Sequence, residues 1–130
     1  VLLAGLDDSQ VDTWLAGARL VRRTEHTITN KGRLREEILR VRKLGWCLVD
    51  QEYEMGLRSA SAPVKDASGA VVAALNVTCP TPRMSIDFIR EKLAPDLIAA
   101  ADRISSMLPA AMALRRETPH SPEVSKARPS

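Results

Sequence analysis

Residues 45–78 read GWCLVDQEYEMGLRSASAPVKDASGAVVAALNVT, and the fold turns on how this stretch divides. Three runs have the composition of strands, 46–50, 58–65 and 70–78, with Asp66-Ala67-Ser68-Gly69 as a turn between the last two. Side chains alternate sides along a strand, so each of the last two runs, taken with its flanking residues, separates into two sets. Ala60, Ala62 and Val64 share one face, as do Val71, Ala73, Leu75 and Val77 on the next strand. The opposite sets are Leu57, Ser59 and Ser61, and Ala74, Asn76 and Thr78. Small side chains leave room, and hydroxyls and an amide supply donors and acceptors without fixed charge, as in the lining of a small-molecule pocket. The same residues also suit a polar sheet face covered by a helix, and composition leaves both readings open.

The two polar sets form one wall only if the hairpin register puts them on the same side. A three-residue loop with a bulge at Gly69 separates them. A four-residue loop, or a second bulge at Pro63, brings them together.

Upstream, residues 1–4 read as the end of a helix closed by Gly5. Asp8 or Ser9 then caps a short helix, Ser9 and Asp12 having capping-box spacing, with Val11, Trp14, Leu15 and Ala18 as its apolar stripe and Trp14 in the core. Residues 22–29 are rich in threonine and read as extended. His26, inside that run, reads as a surface or capping residue, since no nucleophile motif accompanies it. Asn30 starts a helix over residues 31–44 with Leu34, Ile38 and Val41 inward, a Glu36–Arg40 ion pair outside and Gly45 at its end. Downstream, Cys79-Pro80-Thr81-Pro82 breaks the strand. Ser85 caps an amphipathic stretch carrying Ile86, Ile89, Leu93, Leu97, Ala100, Ile104 and Met107. Pro95 divides it into helices over 85–93 and 95–108 that pack on Val71, Ala73, Leu75 and Val77.

The acidic link between the first two strands holds Asp50, Glu52 and Glu54. Their spacing is not that of a calcium loop, and turn and hydrogen-bonding roles suit Glu52 and Glu54 better than catalysis. A small hydrolase using Asp50 or Glu52 is the rival reading, and a dimerisation module with an empty cavity is a third. Cys47 and Cys79 form no CxxC or Cys/His pattern, which suggests two free thiols in a reducing cytoplasm and no metal or other cofactor.

The chain has 130 residues, one domain's worth, with a net charge of +3 and 3% aromatic residues. Arg115, Arg116, Lys126 and Arg128 account for part of the basic balance, so it argues weakly for a nucleic-acid face. No apolar run reaches membrane-spanning length. Residues 110–130 lack periodicity and read as a disordered tail. The chain opens on Val-Leu-Leu-Ala and reads as a piece of a longer protein.

Taken in order, Arg42-x-x-Gly45-Trp46, Asp50-Gln51-Glu52-x-Glu54-x-Gly56-Leu57-Arg58-Ser59, Ala62-Pro63-Val64-x-Asp66-x-x-Gly69 and Ala73-Ala74-Leu75-Asn76-Val77 closely resemble the effector-binding domain of IclR-family transcriptional regulators. The subgroup that it most resembles controls aromatic-acid catabolism through the β-ketoadipate pathway. The resemblance implies an α/β (α+β) fold of GAF/profilin-like type, an antiparallel sheet flanked by helices, over residues 1–109. It also implies that the first strands of that domain, with a loop that helps to close the pocket, and the DNA-binding helix-turn-helix lie outside this chain. A homodimer or homotetramer and a small organic-acid effector are expected on the same ground. Carried over by position, ligand contacts fall on Val49, Leu57, Ser59, Asn76 and Thr78. Val49 stands where some members have Asp, and neighbouring Asp50 is a candidate replacement. Ser59, Asn76 and Thr78 are expected to hydrogen-bond the acid, with Val49 and Leu57 giving apolar contact.

Overall fold

The computed structural model describes residues 1–109. The expected tail at 110–130 lies outside the described residues. In chain order the elements are a 3-10 turn (Leu3–Gly5), α1 (Asp8–Gly17), α2 (Lys31–Leu44), β1 (Cys47–Asp50), β2 (Leu57–Lys65) and β3 (Val71–Pro80). A second 3-10 turn (Thr81–Arg83) leads into α3 (Ile86–Phe88), a π-helical turn (Ile89–Leu93) and α4 (Ala94–Ser105). The sheet is an antiparallel meander in the order β1-β2-β3.

Helix α2 forms where its caps dictate. The Asn30 side chain accepts from the Arg33 amide at 2.9 Å, and Gly45, at φ +77°, donates its N–H to the Val41 carbonyl at 2.9 Å. Ile38 and Val41 are buried. Arg40 pairs with Glu37, one turn back at 2.6 Å, and not with the expected Glu36. Helix α1 is capped by Asp7, one residue earlier than expected. Asp7 accepts from the Gln10 amide at 2.8 Å while the Gln10 side chain accepts from the Asp7 amide, a reciprocal capping box. Val11 and Leu15 of α1 close a small core with Ile38, but Trp14 is 43% exposed. The core position expected of it is corrected: the stripe Val11–Leu15 needs no third bulky member. Arg42 ties these pieces together, donating to the Ala4 and Leu6 carbonyls and to Asp8 Oδ1 at 2.6 Å.

Residues 22–29 form no strand. Their threonines bond out of the segment instead: Thr24 Oγ1 donates to the Gln51 carbonyl and Thr27 Oγ1 to that of Glu52, both at 2.6 Å. A β-favouring composition is thus used as a hydroxyl clamp on the β1–β2 connection.

Ala60, Ala62 and Val64 of β2 lie against Ile89, Leu97 and Ala101, and this is the main core. The expected β3 partners are only partly right. Leu75 and Val77 join this core, Ala73 is exposed, and Val71 lies on the other side of the sheet. The cause is a bulge. Asp66 N–H bonds the Ala70 carbonyl across a tight turn with Gly69 at φ +84°, and Lys65 pairs with Val71, yet Val64 pairs with Ala73. Val72 is therefore an extra residue in β3, turned toward the main core. Val71 faces the opposite way and meets Gly5, where an added Cβ would stand 2.5 Å from the Val71 Cβ.

The helix that follows is continuous and not divided. Ser85 accepts from the Phe88 amide at 3.1 Å, as expected of a cap. Pro95 follows a π turn that carries the Ala94 N–H to the Ile89 carbonyl, and this wider turn takes up the proline ring and its missing N–H without ending the helix. The buried stripe runs through Ile89, Ala94, Leu97 and Ala101, and Met107, past the end of α4, is 73% exposed. The stripe position given to Ala100 belongs to Ala101.

Candidate ligand-binding site

The register decides what the other sheet face presents. Val49 pairs with Ser59 and Ser59 with Thr78; in the next row Cys47 pairs with Ser61 and Ser61 with Asn76. The two polar sets are therefore on one wall, with Leu57 and Ala74 at its ends. The bulge that achieves this is at Val72 and not at Pro63. Asp50 is on the reverse face: its Oδ1 accepts from Arg58 Nε at 2.7 Å, and Arg58 also donates to the Met84 carbonyl. It is not brought to the wall, and the alternation of β1 is the reason.

The polar side chains of the wall bond to one another. Ser61 Oγ donates to Asn76 Oδ1 at 3.3 Å, Asn76 Nδ2 donates to Thr78 Oγ1 at 3.3 Å, and Ser59 Oγ and Thr78 Oγ1 share a hydrogen bond of 2.8 Å. Proton counting is informative here. Whichever of Ser59 and Thr78 donates, the other hydroxyl keeps its hydrogen, and Asn76 keeps its second amide hydrogen. The β2–β3 part of the wall thus offers two neutral donors. Val49, Leu57, Ser59 and Ser61 are half-buried, while Asn76 and Thr78, on the outer strand, are exposed.

Against the β1 side of this wall lies a cavity of about 390 Å³. Leu34, Ile38 and Val41 of α2 line it on the helix side and Cys47, Val49, Ser61 and Ala74 on the sheet side, with Leu3 and Ile28 also at its wall. Glu37 and Glu52 also line it. Both Glu37 oxygens are taken by Arg40, at 2.8 and 2.6 Å. Burial pushes the Glu52 carboxyl up, the Glu37 charge adds in the same direction, and the facing Ile28 amide opposes them. Burial likewise raises the Cys47 thiol, which keeps it protonated and a poor nucleophile.

Such a wall can bind but has little with which to react. His26 is exposed beside Glu25, and Asp50 is engaged by Arg58. Among the described residues no group of three or more His, Cys, Asp or Glu side chains could hold a metal ion. No helix among them is long and apolar enough to cross a membrane. Of the six residues singled out from the sequence, Val49 lines the cavity, Leu57, Ser59, Asn76 and Thr78 continue its sheet side, and Asp50 does not take part. Ser61 stands on the wall with Ser59, as its parity in the polar set predicts. Sequence reasoning missed Cys47 and Glu37 as cavity residues; Glu37 gave no signal, because its helical position reads as solvent-facing.

Residues 1–106 match the family described as Bacterial transcriptional regulator IclR C-terminal. The Pca regulon regulatory protein of Pseudomonas putida is 43% identical over 101 residues, which cover 78% of this chain and 35% of that protein. The regulator KdgR of Escherichia coli is 38% identical over 108 residues, 83% of this chain and 41% of the relative. The chain thus spans well under half the length of these relatives. Among solved structures, the inducer-binding domain of a PobR double mutant from Acinetobacter, in complex with 3-hydroxybenzoic acid, superposes with a TM-score of 0.76 at 31% identity, covering 80% of this chain and 59% of that one. The C-terminal domain of Escherichia coli KdgR gives 0.74 at 38% identity, covering 82% and 64%.

Proposed function

The chain belongs to the IclR family of bacterial transcriptional regulators, as part of its C-terminal domain, and on that footing we propose that it is the small-molecule-sensing part of such a regulator. The effector is an organic acid, bound on the wall formed by Ser59, Asn76 and Thr78 with Val49 and Leu57 as apolar neighbours. One observation carries this reading: a self-bonded row of neutral hydroxyls and an amide continues the sheet side of an apolar cavity. The two unspent hydrogens suit a carboxylate, which takes up to four hydrogen bonds and needs no cation when donors are fixed. The PobR complex supports an aromatic acid in particular, since that relative, at 31% identity, binds a hydroxybenzoic acid.

The ligand works by its unequal affinity for two subunit arrangements. In this reading the protein is a cytoplasmic homodimer or homotetramer, and DNA is contacted by a separate domain that the ligand repositions. The relatives are named transcriptional regulators, which favours binding over turnover as the outcome.

Calorimetry on the full-length protein with aromatic and dicarboxylic acids tests it. At least one acid should bind, and Asn76→Leu and Ser59→Leu should each weaken it about tenfold or more, since each leaves a ligand acceptor unpaired. Unchanged affinity in both variants would remove those residues from the site.

A further inference from the structure

Charge is distributed unevenly over this chain, and residues 19–33 are where the cations gather. Arg19, Arg22, Arg23, Lys31 and Arg33 stand there against Glu25. The rest of residues 1–109 holds ten Lys or Arg and thirteen Asp or Glu, so it is net acidic, and the overall charge of +3 conceals the segregation. All five cations are exposed. The arginines of α2 beyond this segment are paired, Arg35 with Asp12, Arg40 with Glu37 and Arg42 with Asp8. Among the described residues none of the five forms an ion pair. Their contacts are with neutral groups. Arg22 donates to the Glu25 carbonyl at 3.3 Å and to Thr29 Oγ1 at 3.4 Å, and Lys31 Nζ donates to the Ala16 carbonyl at 2.9 Å. The Arg23 guanidinium lies 4.6 Å from the centre of the Tyr53 ring. Each contact positions a cation without neutralising it. Arg22 and Arg33 also line one recess, of about 280 Å³, with His26. The backbone beneath is fixed by the Thr24 and Thr27 bonds to the β1–β2 connection.

We propose that residues 19–33 form a second, sequence-independent DNA contact, in which these side chains lie on phosphates of the duplex held by the regulator's separate DNA-binding domain. The inference rests on the part of the reading above that puts such a domain elsewhere in the same protein, and not on the acid-binding wall. Phosphate suits the cluster. Four of the five cations are arginines, whose planar donors match phosphate oxygens. Val21 is the one large apolar side chain exposed in the segment, too little for the dry centre of a protein interface. A duplex tethered to the same molecule is present at high effective concentration, so a weak contact is enough. The acidic remainder of the body turns the basic end toward it.

The test is the salt dependence with which the full-length protein binds a mixed-sequence duplex, read by fluorescence anisotropy between about 50 and 200 mM KCl. Arg19→Gln with Arg33→Gln changes two side chains that make no hydrogen bond or ion pair among the described residues. It should flatten the slope of log K against log salt by about 1.8, because each phosphate contact contributes about 0.9. Over that salt range the variant should therefore lose about tenfold less affinity than the natural protein. Glu25→Lys, at an exposed position in the same segment, should steepen the slope by about 0.9, a gain that misfolding does not produce. An unchanged slope in either variant, with a cooperative melt, overturns the inference and leaves the cluster to an acidic protein surface or to solvent. Failure of the natural protein to bind the duplex at any of these salt concentrations would overturn the reading of it as a DNA-bound regulator, and the inference with it.

Discussion

On one face of the sheet Ala60, Ala62 and Val64 are closed off beneath Ile89, Leu97 and Ala101; on the other, Ser59, Ser61, Asn76 and Thr78 hold one another and stay within reach of solvent. The same strands supply both. Alternate residues of β2 thus stand in different surroundings, and neighbours in sequence such as Ser59 and Ala60 share no environment. The first face is dry and uses methyl groups small enough to let a helix approach closely. The second forgoes burial energy to keep hydrogen-bonding groups available. Stability and recognition should therefore be separable by mutation, face by face.

The largest effect is expected on the dry face. Leu97→Ala removes a buried side chain that β2 cannot collapse to fill, and should lower unfolding free energy by about 2–5 kcal/mol in urea titrations. Asn76→Leu, on an exposed position of the other face, should change it by about 0.5 kcal/mol or less while it weakens acid binding. Equal losses of stability in both would break the division of labour.

Gly5→Ala probes the join between the N-terminal turn and the open face. The new methyl would meet the Val71 Cβ at 2.5 Å, too close for either backbone to stay in place, and should cost about 1–3 kcal/mol. Val71→Gly in the same chain, which removes the Cβ that is struck, should return part of that loss in a double-mutant cycle read by denaturation. An absence of coupling would mean that Val71 does not seat this turn.

The smallest effect sharpens the comparison at Glu52. Its folded carboxyl lies above the ordinary value of 4.5 because burial opposes its charge. Below that value the group is neutral in both folded and unfolded chains and imposes no penalty. As pH rises through the raised folded value, the penalty is imposed in full. The stability of Glu52→Gln relative to the natural chain should accordingly grow from acid toward neutral pH in urea midpoints. A difference that shrinks over that range would show Glu52 to be stabilised as an anion.

Much of the scaffold was legible in residue order. Asn30 and Gly45 bracket α2 because caps act through backbone groups within one turn, and the three strand runs follow from local composition. The polar wall was legible as two half-walls, Leu57-x-Ser59-x-Ser61 and Ala74-x-Asn76-x-Thr78. Their union was not, because one extra residue, Val72, sets the parity, and a valine in a bulge looks like any other in a strand. The π turn at Ile89–Leu93 was hidden in the same way, and beyond it the buried alanine is Ala101, four residues after Leu97, where Ala100, three after it, was equally compatible with a helical stripe. Trp14 misled because size suggests burial, whereas α1 has only Val11 and Leu15 to bury. The threonines at 24 and 27 have β-strand preferences, but their use was fixed by carbonyls 25 to 28 positions away.

The bulge at Val72 gives the tip of this hairpin a residue to spare. Val71 pairs with Lys65 and Ala73 with Val64, so deleting Val72 alone would leave an unbroken ladder in which Asn76 and Thr78 still stand opposite Ser61 and Ser59. A deletion inside the ladder, at Leu75 for example, has no such slack, and every residue on one side of it would change face. A deletion scan along β3 should therefore spare position 72 and fail further along the strand.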